Sequence, residues 1–367
     1  MTHESTLEQL FAPARLGGAD LPNRLVMAPM SRNRATFDGV PRDIMAEYYA
    51  QRASAGLIVG EASTPSPVGF TYPEIPGLYA AEQVAGWRDV IDAVTAAGGR
   101  IFLQIEHGGR IGHPDNNPDG LVPIAPSAVR LPGGLHTPTG HQEAPVPLEM
   151  TDADLKSTIE DFVKAARNAV DAGAHGVEVH AANGYLLNQF LSTTANRRED
   201  AYGGSVANRV RFPVAVVEAV VAEIGAERTG LRISPGVVQN GVDMPDSQEL
   251  FAAFLEALAP LGLAYLHVAY ADPETALFKA IRAQWTGTLI ANPSLGEEQP
   301  VPADGGLSKG LALLDAGADL IAFGRAFLAN PDLPRRLRTG SALNPVRTDR
   351  PLYGGDREAY TDYPALD

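Results

Sequence analysis

The chain has 367 residues, of which 45% are hydrophobic, enough for a large buried core in one to three domains. Its 29 basic and 44 acidic residues leave a net charge of −15. That balance argues against a nucleic-acid or anionic-membrane partner, because both require clustered lysine and arginine. The absence of cysteine excludes disulfides, thiolate metal sites, iron–sulfur clusters and cysteine nucleophiles. We recognise neither a signal peptide nor the roughly 20 apolar residues of a membrane span, so we expect a cytoplasmic protein.

Eight short apolar segments recur along the chain and predict β-strands. They begin at Arg24, Gly56, Arg100, Gly176, Gly230, Ala264, Gly287 and Asp319. Several are continuously apolar, as is typical of parallel strands covered by helices. Helical patterns separate most of them, and the one after Thr151 has Asp154 where a capping box places an acid. Strand and helix repeated eight times predict an α/β fold of the (β/α)₈ TIM-barrel type, with a doubly wound sheet as the competitor.

No composition shift or linker divides the chain, so we predict one domain over residues 1–367 with extended loops. Three segments are too long for simple connectors, namely 113–150, 182–209 and 293–304. Long loops in a compact domain usually carry function or are disordered. The first two follow the third and fourth predicted strands, which places them at the carboxyl end of a barrel, where active sites are built.

The fourth predicted strand ends in His180, and Asn183 and Tyr185 follow closely. Two donors three residues apart on a turn face the same way and can hold one electronegative oxygen, while a nearby tyrosine can give a proton. The pattern suits polarisation of a carbonyl or nitro group and protonation of a neighbouring carbon. From spacing alone, a structural role is at least as well supported, with His180 and Asn183 satisfying backbone groups and Tyr185 packing half-buried.

Two polar residues occupy positions on predicted barrel strands. Gln104 ends the third strand and offers both a donor and an acceptor, as the pyrimidine edge of a flavin requires. Arg232 lies inside an apolar strand, where an unpaired charge is costly. Its partner is therefore either a cofactor or an internal carboxylate.

Glycine-rich turns follow the last two predicted strands. They contain Gly305, Gly306, Gly324 and Arg325. Such turns expose backbone N–H groups at helix starts, and TIM barrels commonly bind phosphate there. A flavin phosphate or a sugar phosphate would fit, whereas no GxGxxG pattern predicts a classical dinucleotide fold.

Taken together, these residues resemble the Old Yellow Enzyme family of FMN-dependent alkene reductases over essentially the whole chain. Matching stretches include PNRLVMAPMSR, IFLQIEHGGR, VEVHAANGYLLNQFLSTTANRREDAYGGSVANRVRF, ADLIAFGRAFLANPDLPRRL and YGGDREAYTDYPAL. The resemblance implies an ene-reductase in which NADPH or NADH reduces tightly bound FMN. The flavin then passes hydride to the β-carbon of an alkene activated by a carbonyl, imide or nitro group, and a tyrosine protonates the α-carbon. It also implies small-molecule substrates and a monomer or homodimer.

The resemblance further implies a role for particular residues. His180 and Asn183 bind the activating oxygen beside the flavin, and Tyr185 is the proton donor. Gln104 and Arg232 contact the flavin ring, the arginine stabilising negative charge on the reduced pyrimidine. Further expected flavin contacts are Pro29, Met30, Ser31 and Ala62 near the ring and Gly305, Gly306, Gly324 and Arg325 near the phosphate, while Phe70, Glu106 and Tyr353 line the substrate pocket.

The chain departs from the family pattern in several places. Ser31 replaces the usual threonine or cysteine near flavin O4, keeping the hydroxyl but losing the methyl that restricts its rotamer. We expect a flavin potential close to that of a threonine enzyme. Glu106 replaces an aromatic or small residue, and it either repels anionic substrates or points outward into a salt bridge. Phe70 stands where a tyrosine often lines the pocket, and the insertion at 293–304 makes Asn292 an alternative phosphate contact.

Other barrel functions remain open on periodicity alone. A metal-dependent hydrolase needs convergent histidine and carboxylate ligands, which we do not find, so no metal is predicted. A sugar-phosphate isomerase needs a base at a strand end; Glu106 is a candidate but leaves His180, Asn183 and Arg232 unexplained. A flavin-binding barrel without catalysis is disfavoured by Tyr185, which has no role in binding flavin.

Overall fold

Eight parallel strands form a closed barrel in the computed structural model, which describes residues 3–295 and 301–367. The strands are β1 (Leu25–Met27), β2 (Leu57–Ser63), β3 (Ile101–Ile105), β4 (Gly176–Ala181), β5 (Thr229–Ile233), β6 (Tyr265–Ala271), β7 (Leu289–Pro293) and β8 (Leu320–Phe323). Each pairs with its neighbours in sequence, and β8 pairs with β1, so the ring has no edge. The eight predicted strands and the (β/α)₈ barrel are confirmed, because a doubly wound sheet would leave two edges.

Helices follow the strands around the outside of the barrel. They are α1 (Asp43–Ala50), α2 (Ala81–Ala96), α3 (Asp152–Asp171), α4 (Val206–Ile224), α5 (Ser247–Leu258), α6 (Ala276–Gln284), α7 (Leu307–Asp315) and α8 (Leu333–Thr339). Shorter helices lie at His3–Leu10, Leu186–Leu191 and Arg325–Ala329. The capping box predicted for α3 is present: Thr151 Oγ1 accepts from the N–H of Asp154, and Asp154 accepts from the N–H of Thr151 at 2.8 Å. Among the described residues, no helix has the length and apolar character to cross a membrane.

Alternation along each strand separates the barrel interior from its outer face. In β4, for example, Val177 and Val179 pack outward in the main hydrophobic core, whereas Glu178 and His180 lie between them in sequence and point inward. The lower interior is apolar and includes Val26, Val59, Phe102, Ile290 and Ala322. The polar inward residues of β3 to β6 lie above this layer, nearer the carboxyl end.

A β-hairpin closes the amino-terminal end of the barrel. Its strands, Ala14–Leu16 and Ala19–Leu21, pair antiparallel. Leu16 and Leu21 are 1% exposed and belong to the same buried cluster as the lower interior residues. The cavity described below therefore opens at the opposite, carboxyl end.

The long predicted segments differ in content. Residues 113–150 hold two small strand pairs, Ile124–Ala125 with Leu148–Glu149 and Gly134–Thr137 with Gly140–Glu143. Residues 182–209 hold the short helix Leu186–Leu191. Of the segment 293–304, residues 296–300 lie outside the described residues.

The C-terminal segment is fixed to the barrel by three buried arginines, which we call the arginine clamp: Arg32, Arg34 and Arg52. Every nitrogen of their guanidinium groups donates a hydrogen bond, mostly to backbone carbonyls, including those of Leu352, Asp356, Glu358, Ala359 and Tyr360. The rings of Tyr48 and Tyr360 stack between them at 4.0 Å. Arg52 lies 3.8 Å from the Tyr48 ring centre, a distance suited to a cation–π contact.

Candidate active site

Five polar side chains project into the barrel at its carboxyl end, and we call them the barrel-mouth cluster: Gln104, Glu178, His180, Arg232 and His267. Strand register brings them together, because Gln104 pairs with Glu178, His180 with Arg232, and Arg232 with His267. All five are 8% exposed or less. Buried polar groups of this kind must satisfy one another or a ligand.

Glu178 is the ionised centre of the cluster. One of its oxygens accepts from Gln104 Nε2 at 2.7 Å, and the other lies 2.8 Å from His267 Nδ1. Desolvation alone would raise the pKa of Glu178, but His267, Arg232 and Gln104 outweigh it and hold the pKa below its usual value. The carboxylate therefore fixes the Gln104 amide and partly offsets the charge of Arg232.

His180 is neutral, and its neighbours define the tautomer. Burial, together with Arg232 and His267, lowers the pKa of His180 well below its usual value. Its Nδ1 lies 3.2 Å from Gln104 Nε2. Because an amide nitrogen can only donate, Nδ1 accepts and the imidazole proton is on Nε2. That Nε2 faces the cavity and lies 3.4 Å from Glu106 Oε2.

Glu106 points into the cavity rather than outward to solvent. It follows β3, is 4% exposed, and its N–H donates to the Ser63 carbonyl at 3.0 Å. Burial raises its pKa to about 8, with Arg232 acting in the opposite direction. Of the two orientations that the sequence allowed, the structure contradicts the outward salt bridge.

Asn183 is held at the cavity wall by hydrogen bonds from its backbone N–H and from its side-chain amide. Its φ of 59° lies in the left-handed region, which asparagine tolerates better than most residues. The backbone N–H donates to Ser234 Oγ at 2.9 Å. Side-chain Nδ2 donates to Gln239 Oε1 at 2.8 Å and lies 3.3 Å from the Tyr270 hydroxyl. A ligand oxygen would replace one of these two partners.

Tyr185 holds its phenol proton in the cavity. It precedes the helix Leu186–Leu191, and its ring centre lies 5.2 Å from that of His180. Its hydroxyl is 3.5 Å from the Tyr72 hydroxyl. Burial, with further contributions from Glu106 and Tyr72, raises the pKa of Tyr185 well above its usual value. The side chain is a neutral acid placed beside the imidazole.

Arg232 has unused hydrogen-bonding capacity. Its Nη2 donates to Asn292 Oδ1 at 3.1 Å, but its buried Nε has no partner among the described residues. His267 Nε2 is also unpartnered among the described residues, but it is an acceptor, because the Glu178 carboxylate can only accept and the proton of this neutral imidazole is therefore on Nδ1. The orphaned Arg232 donor beside the cavity indicates a bound group. A flavin pyrimidine, which carries acceptors and becomes anionic on reduction, fits this guanidinium.

A cavity of about 790 Å³ unites most of the predicted site residues. Its walls include Pro29, Met30, Ser31, Gln104, Glu106, His180, Asn183, Tyr185, Arg232 and Tyr353. The volume lies within the usual range for ligand sites. The predicted residues from β3, β4, β5, the loop after β1 and the C-terminal segment thus lie around one space.

Two predicted neighbours of the site do not line this cavity. Ala62 is buried within β2. Phe70 is 2% exposed and packs edge-on against Tyr79. Tyr72, two residues later, lines the cavity instead, because Phe70 follows the turn Pro67–Gly69 and packs against the protein core, away from the cavity. The expectation that Phe70 lines the substrate pocket is corrected to Tyr72.

The predicted phosphate residues also lie outside the cavity lining. The two loops do meet, since a Cβ on Gly305 would lie 3.2 Å from that of Ala326. The N–H groups of Gly305 and Gly306 are already engaged, with the Pro302 carbonyl and the Asp304 carboxylate. Asp304 also accepts from Ser308, so an anion occupies the start of α7.

The loop after β8 is the better-supported part of the phosphate prediction. Gly324 precedes the short helix Arg325–Ala329 and adjoins the cavity residue Met30, whose Sδ would lie 3.4 Å from a Cβ at Gly324. Asn292, the alternative contact, is instead hydrogen-bonded to Arg232 and to the Ala322 carbonyl.

Several cavity residues escaped the sequence analysis. They include Asn33, Tyr72, Glu74, His136, Gln239, Asn240 and Tyr270. Gln239 follows β5, and Tyr270 is the penultimate residue of β6, so the rule that barrel sites form at the carboxyl ends of strands is a signal that could have found them.

Fold and site together describe a flavin-dependent oxidoreductase barrel, and comparison with known proteins agrees. The sequence profile of the NADH:flavin oxidoreductase / NADH oxidase family matches residues 9–344. A probable flavin mononucleotide-dependent alkene reductase of Leishmania infantum is 39% identical over 370 residues, covering 98% of each chain.

Solved structures extend the similarity to three dimensions. A morphinone reductase in complex with tetrahydroNAD has a TM-score of 0.90 and 42% identity, covering 98% of both chains. An old yellow enzyme homologue from Zymomonas mobilis has a TM-score of 0.91 and 39% identity, covering 98% of this chain and 100% of that one. The chain belongs to the Old Yellow Enzyme family of FMN-dependent NAD(P)H oxidoreductases. The predicted family, enzyme class and cofactors are confirmed, and the hydrolase, isomerase and non-catalytic alternatives are set aside.

Proposed function

We propose that this protein is an ene-reductase in which His180 and Asn183 polarise the activating oxygen of an alkene and Tyr185 protonates the α-carbon. Bound FMN would supply the hydride chemistry, taking hydride from NAD(P)H and giving it to the β-carbon. The observation that carries the proposal is the neutral Tyr185 phenol, which lies in the cavity beside His180. We further propose that residues 1–367 act as one domain, because the barrel and the C-terminal segment contribute to the same cavity.

Polarisation of the oxygen would come from two donors of fixed orientation. Gln104 directs the His180 proton to Nε2, and Gln239 with Tyr270 positions the Asn183 amide. Donors that their neighbours already orient stabilise developing negative charge on an oxygen more effectively than water does. Because His180 is neutral, it donates a hydrogen bond without transferring its proton.

Tyr185 would supply the proton for the α-carbon. Its raised pKa keeps the phenol protonated throughout the neutral range. Tyr72, whose hydroxyl is 3.5 Å away, can stabilise the tyrosinate that forms when the proton leaves. Gln104 and Arg232 would hold the flavin ring, Arg232 through its unpartnered Nε.

The proposal is tested by measuring the two half-reactions of the holoenzyme separately. In Tyr185→Phe, we expect anaerobic flavin reduction by NADPH to stay within about twofold of wild type. Re-oxidation by cyclohexenone should slow by about 10²–10⁴-fold, the usual contribution of a general acid. Tyr202→Phe, which removes a hydroxyl outside the cavity lining, is the matched control.

Two outcomes would contradict different parts of the proposal. Unchanged re-oxidation in Tyr185→Phe removes the role assigned to Tyr185. A flavin-loaded protein that NADPH reduces but no activated alkene re-oxidises contradicts ene-reduction altogether.

A further inference from the structure

Resting on the proposed function, we propose that the cavity selects activated alkenes that carry a cationic ammonium group, and that Glu106 recognises this charge. The first reason is position. Glu106 Oε2 is 3.4 Å from His180 Nε2, the donor assigned to the activating oxygen. A substrate bound at His180 therefore lies against this carboxyl. The backbone N–H of Glu106 donates to the Ser63 carbonyl, which fixes the main chain of this residue at the end of β3.

The charges lining the cavity favour a cation. Two carboxyl groups, Glu74 and Glu106, contribute to its walls, against one guanidinium, that of Arg232. Arg232 belongs to the barrel-mouth cluster, where the Glu178 carboxylate partly offsets its charge. The substrate space is therefore left with acidic groups, and a ligand carboxylate would meet repulsion there.

Aromatic rings supply a second attraction for the same class of ligand. The walls include the rings of Tyr72, Tyr185, Tyr270 and Tyr353. Tyrosine faces attract ammonium groups, and cages of such rings are a known way to recognise quaternary ammonium ligands. Tyr353 is 66% exposed, so one ring remains at the entrance of the cavity while the others lie deeper.

The groups facing Glu106 make its ionisation sensitive to ligand charge. They are His180 from β4, Tyr185 from the following loop, Arg232 from β5 and Tyr72 from the loop after β2. The two tyrosines and His180 are neutral, which leaves Arg232 as the only cation of this set. Because burial raises the pKa of Glu106 to about 8, a bound cation would favour its carboxylate and release the proton.

The direction of the pH dependence follows from this linkage. As pH rises from 6 to about 8.5, the free enzyme loses the Glu106 proton, so affinity for a permanent cation should rise and affinity for an anion should fall. A neutral ligand should show neither trend.

The raised pKa of Glu106 also affects folding. The folded carboxyl keeps its proton in a range where the unfolded one has lost it, so unfolding releases a proton. The free energy of unfolding of wild type should therefore decline as pH rises from about 5 to about 8, and Glu106→Gln should remove this decline.

The test compares three maleimides on the NADPH-reduced holoenzyme between pH 6 and 8.5. They carry N-(2-trimethylammonioethyl), N-(3,3-dimethylbutyl) and N-(2-carboxyethyl) groups, the first two having the same shape. The chain has no cysteine, so maleimides have no thiol to alkylate. At pH 8 we expect wild type to prefer the cation over its neutral isostere by about tenfold in kcat/KM, which corresponds to ~1.4 kcal/mol. In Glu106→Gln this ratio should fall towards one.

Controls separate charge recognition from damage to the fold. Glu256→Gln changes the net charge equally at an exposed position of α5 and should keep the wild-type ratios. Calorimetric titration with the saturated cationic succinimide, in buffers of different ionisation enthalpy, should show proton release near pH 7.5 for wild type and none for Glu106→Gln.

Each outcome decides between the two proposals. Reduction of the neutral maleimide without any charge preference in wild type overturns the role of Glu106 and leaves ene-reduction standing. The same is true of a cation preference that Glu106→Gln retains. Failure to reduce all three maleimides, with flavin bound and reducible by NADPH, contradicts the proposed function itself.

Discussion

The arginine clamp and the barrel-mouth cluster both contain buried charge, but the hydrogen-bonding groups of the two regions are satisfied to different extents. In the clamp, every guanidinium nitrogen of Arg32, Arg34 and Arg52 has a partner within the chain. In the cluster, Arg232 Nε and His267 Nε2 have none among the described residues.

The contrast separates a structural use of buried arginine from a ligand-binding one. Arg52 is 0% exposed and donates to the backbone carbonyls of Phe327, Leu328 and Tyr360, so it contributes to holding the C-terminal segment in place. Arg232 pays a desolvation cost that its protein contacts only partly offset. Such a residue is explained by what binds in the adjacent cavity.

The largest effect on folding is expected from Arg52→Met. The substitution leaves the carbonyls of Tyr48, Phe327 and Leu328 without their donor and removes the cation–π contact with Tyr48. We expect the free energy of unfolding in urea to fall by about 3 kcal/mol. Arg88→Met, at an exposed position on α2, should change it by less than about 0.5 kcal/mol. Equal effects of the two substitutions would remove the structural role of the clamp.

Arg232→Met should show the opposite pattern. Stability of the flavin-free protein should stay within about 1 kcal/mol of wild type or rise, because the substitution removes a buried charge that is incompletely paired. With FMN bound, the midpoint potential should become more negative by at least about 30 mV, which is the loss of ~1.4 kcal/mol in a two-electron couple. Spectroelectrochemistry of the holoenzyme measures this shift. An unchanged potential together with strong destabilisation would place Arg232 with the clamp.

Ser31→Ala should give the smallest change in flavin potential. It tests a residue that lies between the cavity and the arginine clamp. Ser31 lines the cavity, while the next residue, Arg32, belongs to the clamp. If its hydroxyl contacts the flavin, its loss should make the potential more negative by less than about 30 mV and slow reduction by NADPH severalfold. Ser31→Thr should leave both close to wild type. If Ser31→Ala changes neither quantity, the predicted flavin contact is wrong.

The barrel and the inward positions of its polar residues could be predicted from sequence because strand periodicity is regular. His180, Gln104 and Arg232 lie on strands, so alternation fixes their direction once the barrel is assumed. Loop residues lack such a rule. Phe70 and Tyr72 are two positions apart in a turn, and only the packing of that turn decides which one reaches the cavity.

The orientation of Glu106 could not be predicted from the sequence, although the residue lies directly after a strand. It follows the last residue of β3, so either inward or outward orientation was compatible with the pattern. Its contact with His180 depends on the loop path after β3, which is set by long-range packing. Gln239 and Tyr270, which position Asn183, likewise come from parts of the chain far from it, the first from the loop after β5 and the second from the end of β6.

The hairpin at the amino-terminal end of the barrel has a consequence for the timing of turnover. Because apolar side chains close that end, the proposed function requires NAD(P)H and the alkene to use the entrance at the carboxyl end. The departure of one molecule would then precede the arrival of the other, and each reactant would also delay the half of the cycle in which it takes no part. The rate at a given moment would depend on the ratio of the two concentrations as well as on their amounts.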